Sequence, residues 1–159
     1  MGYLLLEKQD FENSLKSFTA ALKYDRGKND HSTVYIVALL FLKKGDYDEA
    51  INYFQRALSL KISVLGDGHK EVVTSLQRLG FVHAKTKEFN NAVTCYKEAL
   101  SIMKKHDFEL EEIMPVFNGI IDVYKTNKQL DEAIACYKDI IQTAKSKLGD
   151  HDEVANILH

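Results

Sequence analysis

Apolar positions recur along this chain at helical spacing, and in four places they fall in the same order. The runs are Phe11-x2-Ser14-x3-Phe18-x2-Ala21-Leu22, Tyr47-x2-Ala50-x3-Phe54-x2-Ala57-Leu58, Phe89-x2-Ala92-x3-Tyr96-x2-Ala99-Leu100 and Leu130-x2-Ala133-x3-Tyr137-x2-Ile140-Ile141. Polar residues fill the intervening faces, which is the pattern of amphipathic helices with one buried stripe. The aromatic anchors Phe18, Phe54, Tyr96 and Tyr137 stand 36, 42 and 41 residues apart. Self-similarity at such a period marks a repeat array, whose units bury their apolar faces only by stacking on a neighbour. The pattern predicts helices near 11–24, 47–62, 89–104 and 130–146 and no strands.

Each run has a partner upstream. The clearest is Leu76-x2-Leu79-Gly80-x2-His83, which precedes Ala92-x3-Tyr96. Val34, Val37, Ala38 and Phe41 stand at the same offset before Ala50, and Phe117, Ile120, Ile121 and Tyr124 before Ala133. In this order of small and aromatic positions the chain resembles the tetratricopeptide repeat family over nearly its whole length. The resemblance implies an all-α, right-handed superhelical solenoid of antiparallel helix pairs. It divides the chain into a partial repeat over 1–30, full repeats over 31–70, 71–112 and 113–149, and the start of another over 150–159. Two departures stand out: the chain has no Trp, and Ile121 occupies a place where a small residue is expected.

Breaks in the pattern are short. Gly45 is suited to end a helix in the left-handed conformation, Asp46 to cap the next, and Glu49 to complete a capping box. In Asn127-Lys128-Gln129 the corresponding turn is expected to use Asn in place of Gly. Pro115, the single Pro, fits the first turn of a helix, where its missing N–H costs nothing, and so starts that helix near Ile113. Gly2 falls at the small position of a first helix, and Val154 to His159 read as the opening of a further one. Both ends therefore cut through a repeat, as in a piece of a longer protein. Leu65-Gly66-Asp67-Gly68-His69 recurs as Leu148-Gly149-Asp150-His151, one residue shorter. With the period near 42, this loop is similar to the long-period subclass of kinesin light chains and nephrocystin.

Charge narrows the class of partner. Lys and Arg number 21 against 23 Asp and Glu, for a net charge of −2 with no block of one sign. A nucleic-acid or anionic-membrane binder would need a clustered basic footprint, so neither partner is expected. The longest apolar stretch, Val34 to Leu42, is too short to span a bilayer. No secretory signal is visible, and a cytosolic setting is the default. Cys95 and Cys136 each precede an aromatic anchor in successive repeats. Equivalent points on stacked helices lie roughly 8–10 Å apart, beyond disulfide reach, so both are expected as free thiols.

Candidate chemistry is sparse. His69 and His151 sit in equivalent loops 82 residues apart, two repeats away from each other and unable to share a metal; bonding to neighbouring backbone accounts for such loop imidazoles. His83 takes the Tyr place of its first helix as a packed, hydrogen-bonded residue. Asp107, Glu109, Glu111 and Glu112 lack the central Gly and spacing of a calcium loop, and read as a solvated helix start. No phosphate loop, nucleophile elbow, Cys-x-x-Cys or His-Glu-x-x-His motif occurs. The chain is not expected to be an enzyme, and no cofactor is implied.

In the family, first helices line the concave face and supply ligand contacts. Carried over by offset, those positions are Tyr3 and Leu6; Tyr35, Leu39 and Lys43; Thr74, Gln77, Arg78, Phe81 and Lys85; and Asn118, Asp122 and Lys125. Leu39 serves packing equally well. Tyr35 and Phe81 lie outside the stripes already filled by Val34, Val37, Ala38 and Phe41 or by Leu76, Leu79, Gly80 and His83, and are the expected anchors. Tyr35 and Leu39 stand where the chaperone-binding subclass carries its carboxylate clamp, so no such clamp is expected. Gln77 and Asn118 suit hydrogen bonding to an extended peptide. The expected function is an adaptor module for a protein or peptide partner; the competing reading is a structural scaffold that self-associates through its cut ends.

Overall fold

Seven helices and no strand make up the residues described by the computed structural model, 2–24 and 30–148. They are α1 (Gly2–Tyr24), α2 (His31–Lys44), α3 (Tyr47–Leu65), α4 (Lys70–Lys85), α5 (Phe89–Lys105), α6 (Leu110–Thr126) and α7 (Leu130–Leu148). Each helix packs on the next in sequence, and α4 also touches α6. The pairs α2/α3, α4/α5 and α6/α7 are the repeated units, joined by tight turns. Leu148-Gly149-Asp150-His151 and the segment from Val154 to His159 lie outside the fully described residues, as do the side chains of Tyr3 and Leu6.

The turns inside the pairs share one construction. The N–H groups of Asp46, Glu88 and Gln129 donate to the carbonyls of Phe41, His83 and Tyr124 at 3.0, 2.8 and 2.8 Å. One residue earlier, Gly45, Lys87 and Lys128 donate to Leu42, Ala84 and Lys125. This double closure requires a left-handed residue after the helix end. Gly45 supplies it at φ 89°, whereas Lys87 and Lys128 adopt φ 64° and 59° at a steric cost. The left-handed residue of the last turn is thus Lys128 and not Asn127, which keeps φ −85°.

Three further expectations are corrected. Asp46 makes no side-chain cap to α3; its carboxylate is taken by Lys44 Nζ at 2.6 Å. Helix α6 starts at Leu110 and not near Ile113, so Pro115 lies in its second turn. The earlier start is fixed by burial of Leu110 and by the Glu109 N–H donating to Glu112 Oε2 at 3.3 Å. Finally, α1 runs unbroken from Gly2 through Tyr24, so no turn separates a first helix at Gly2 from the run starting at Phe11. Gln9 stands where Gly45 turns the chain, and continuing a helix is easier than nucleating a second one.

Two clusters of buried side chains form the core. One gathers Ala38, Ala50, Phe54, Leu79 and Val82; the other runs through Val72, Leu76, Ala92, Tyr96, Ala99, Phe117 and Ile120. Leu58 packs against both and makes the core continuous along the array. Ala50, Ala92 and Ala133 are buried where the pattern calls for small residues. The Ile121 departure has a visible correlate. Gly80 leaves room for Tyr96, which is 7% exposed, whereas Ile121 occupies the equivalent place before Tyr137, which is 39% exposed.

Candidate functional site

The first helices α4 and α6 lie side by side, and their C-terminal halves enclose a cavity of about 610 Å³. Phe81 and Lys85 form one wall, Asp122, Val123 and Thr126 the other, and Phe89 and Tyr96 close it from α5. Phe81 is 40% exposed although flanked in sequence by buried Gly80 and Val82. Helical spacing places it on the groove side of the core stripe. Lys85 Nζ sits 5.2 Å from its ring centroid, a cation–π contact that orients the ammonium at the rim.

The floor depends on two glycines. A Cβ on Gly80 would come within 2.9 Å of one edge of the Tyr96 ring, and one on Gly119 within 2.7 Å of the other. The ring is therefore wedged between α4 and α6, and only glycine fits on either side. Burial, then the nearby Asp122 carboxylate, pushes the Tyr96 hydroxyl up to about 12. It stays protonated at neutral pH and can donate a hydrogen bond into the groove.

Three of the expected contact residues, Phe81, Lys85 and Asp122, thus share one cavity. Arg78 and Asn118 are exposed and Gln77 is half-buried on the same two helices, nearer their N-terminal ends. The Thr74 hydroxyl donates to the Lys70 carbonyl at 3.0 Å, so its hydrogen is spent on its own helix. Lys43 lies 5.6 Å from the Phe11 ring, and Lys125 lies 6.0 Å from the Tyr137 ring, outside the cavity lining.

Tyr35 does not stand clear of the packing as expected. Its ring meets Phe54 edge to face with centroids 5.4 Å apart, and Lys61 Nζ lies 3.8 Å from its centroid. Lys61 is 2% exposed and paired with Glu71 at 3.2 Å. A buried Lys where Met103 stands in the next repeat needs both a carboxylate and an aromatic face, and Tyr35 supplies the latter. Leu39 likewise packs on the core.

The cavity floor is built from residues outside the expected contact positions: Tyr96 belongs to the core stripe as well, and Phe89, Gly119, Val123 and Thr126 are at no expected contact position. Gly119 carried a usable signal, because glycine inside a helix is unfavourable by about 1 kcal/mol against alanine and usually marks a close approach.

His69 and His83 resolve as capping and packing groups; His151 lies outside the described residues. His69 Nδ1 accepts from the Glu71 N–H at 3.2 Å at the start of α4, and His83 Nδ1 lies 3.0 Å from Glu88 Oε2. Both cysteines are free. Among the described residues no group of three His, Cys, Asp or Glu side chains could hold a metal ion, and no helix is long and apolar enough to cross a membrane.

Comparison with known proteins agrees with this architecture. Tetratricopeptide repeat patterns match residues 30–105 in one form and 1–28 and 122–147 in another. The chain belongs to the tetratricopeptide repeat family. It is 29% identical over 73 residues to Protein KINESIN LIGHT CHAIN-RELATED 3 of Arabidopsis thaliana, a match spanning 45% of this chain and 11% of that protein. Among solved structures it is similar in fold to BtubC (BKLC) from P. vanneervenii, with TM-score 0.73 and 18% identity over 90% of this chain and 60% of the other. A putative kinesin light chain from Podosopora anserina gives TM-score 0.71 and 14% identity over 93% and 74%.

Proposed function

We propose that this module binds a segment of a partner protein in the groove between α4 and α6, acting as an adaptor within a larger protein. The observation that carries the reading is the half-exposed Phe81 standing over a cavity floored by Tyr96, with Lys85 and Asp122 at opposite rims. Pockets of a few hundred Å³ with an apolar floor and few polar groups are the usual form of a binding site. Phe81 is the anchor; Gln77, Arg78, Asn118 and Lys125 extend the polar contacts along the two helices, with Thr74 in the N-terminal half of α4 and Tyr35 and Lys43 on α2. Membership of a repeat family whose members present interaction surfaces supports a non-catalytic role. A cytoplasmic setting is in keeping with the two free thiols.

Peptide display against the purified module tests this without assuming a motif. A selected peptide should lose at least about thirtyfold in affinity to Phe81→Ala, the cost of truncating a buried interface aromatic at about 2 kcal/mol. Because Tyr35 packs on Phe54, Tyr35→Ala should weaken binding less than Phe81→Ala. Undiminished binding by Phe81→Ala sinks the groove assignment.

A second reading has its own support. Leu130, Ile134 and Tyr137 are exposed at one-turn spacing on α7, an apolar face suited to self-association. Sedimentation with and without added terminal repeats separates the two: a monomer over the micromolar range removes this reading.

A further inference from the structure

Helix α6 carries a second hollow on the face turned away from the peptide groove. Gly119, Asp122, Val123 and Thr126 border the groove, whereas Phe117, Ile120 and Tyr124 floor a cavity of about 320 Å³ between α5 and α7. Helical spacing puts the two sets on opposite sides of α6. Leu100 of α5 and Ala135 and Cys136 of α7 form the walls. The volume falls in the range of small-molecule sites, which begin at about 300 Å³, and an apolar cavity of about 150 Å³ already takes up benzene.

What marks this hollow as a site is the Tyr124 hydroxyl. Tyr124 lines the cavity and is only 9% exposed, yet among the described residues its hydroxyl has no hydrogen-bond partner. A buried phenol O–H ordinarily finds one. In the preceding repeat His83 stands in the same place, and its Nδ1 lies 3.0 Å from Glu88 Oε2, which also accepts from Asn91 at 2.7 Å. Gln129 and Glu132 stand where Glu88 and Asn91 do, but they bond elsewhere. Gln129 Oε1 accepts from Asn127 at 2.7 Å, and Gln129 Nε2 donates to Glu132 Oε1 at 3.2 Å. The polar network of this turn closes on itself and leaves Tyr124 to the cavity.

Charge at the rim favours an uncharged occupant. Lys104 Nζ donates to both Asp139 carboxylate oxygens at 3.3 Å, and Lys97 on α5 offsets Glu132 on α7. We propose that this cavity binds a small uncharged aromatic molecule of one or two rings, packed on Leu100, Phe117 and Ile120 and hydrogen-bonded through a hydroxyl or carbonyl group to Tyr124. The phenol can donate to either group. The site lies apart from the peptide groove, so either idea can fail alone.

The test is a titration of the full chain with p-cresol and with toluene, which lacks the hydroxyl, followed by amide chemical shifts. With p-cresol the shifts should saturate at Leu100, Phe117, Tyr124 and Cys136 with a dissociation constant of about 1 mM, a modest affinity for so few atoms, while Phe81 and Lys85 stay still. Tyr124→Phe removes only the unpartnered hydroxyl and should keep the thermal midpoint. It should weaken p-cresol about two- to tenfold, the loss of one hydrogen bond, and leave toluene unchanged. Ala135→Trp, at an exposed position of the lining, should abolish binding of both molecules in a folded chain. Shifts that fail to saturate, shifts centred on Phe81 and Lys85, or a Tyr124→Phe affinity for p-cresol equal to the parent's each overturn the proposal.

Discussion

Gly80→Ala is the most informative single change, because two opposing effects of known size meet at one position. Replacing a helical glycine by alanine ordinarily stabilises by about 0.5–1 kcal/mol, since the unfolded chain loses freedom. Here the new Cβ would meet three Tyr96 ring atoms at 2.9, 3.0 and 3.1 Å. A side-chain tip with space behind it would move aside. Tyr96 has none, because the opposite ring edge already bears on Gly119, where even a hypothetical Cβ finds ring atoms at 2.7 Å. Overpacking a close-fitting core costs about 1–3 kcal/mol, so the clash outweighs the glycine gain. The expected net loss is about 0.5–2 kcal/mol, or a thermal midpoint lower by about 1–8 °C for a domain of this size. Calorimetry reads it directly. Adding Tyr96→Leu should make Gly80→Ala neutral or stabilising in that background, a coupling only contacting residues show. A raised midpoint for Gly80→Ala alone would refute the wedge.

Ala92→Leu should lower stability by about 1–3 kcal/mol, since Ala92 is fully buried in the core; an unchanged midpoint would mean the repeat register is wrong. Burial, reinforced by Glu98 and Asp139 respectively, pushes the Cys95 and Cys136 thiols up from 9.0 to about 11. At pH 8 each should hold about a hundredfold less thiolate than an ordinary cysteine and alkylate correspondingly slowly; labelling at the rate of a free thiol would contradict the packing. Hydrogen bonds from Lys105, Lys147 and Lys70 lower the Asp67, Asp107 and Glu112 carboxyls. Lowered folded values mean that their contribution is present above the unfolded carboxylate range near pH 4 and is lost as pH falls below it. Denaturant midpoints at pH 7 and pH 3 should show that loss at low salt and less of it at high salt.

The repeat period and helix pairing were legible in the sequence because burial of a stacked array imposes the same small and aromatic positions in every unit. Ala50, Ala92 and Ala133 are buried where the pattern put them. Local turn chemistry was less legible. Lys87 and Lys128 hold left-handed conformations that nothing in their residue type announces, because two helices packing back on each other impose the turn. Gly2 could not reveal that α1 is continuous, since one small residue does not encode a break. At the groove, offset from the core stripe predicts that Phe81 and Tyr35 both stand clear of the packing; Phe81 does, and Tyr35 packs on Phe54. What displaced Tyr35 is Lys61, a buried charge on another helix, and helical spacing along α2 contains no trace of it. The floor at Tyr96 needed the meeting of Gly80 with Gly119 from two repeats.

Amide chemical-shift mapping of the module with a display-selected peptide tests the central claim most directly. The account predicts the largest shifts at Phe81, Lys85, Gly119, Asp122 and Thr126, with little change around Lys97, Cys136 and Asp139, which line a separate cavity of about 320 Å³ between α5, α6 and α7. Shifts concentrated at that second cavity, or on the exposed face of α7, with the α4–α6 groove silent, would contradict it.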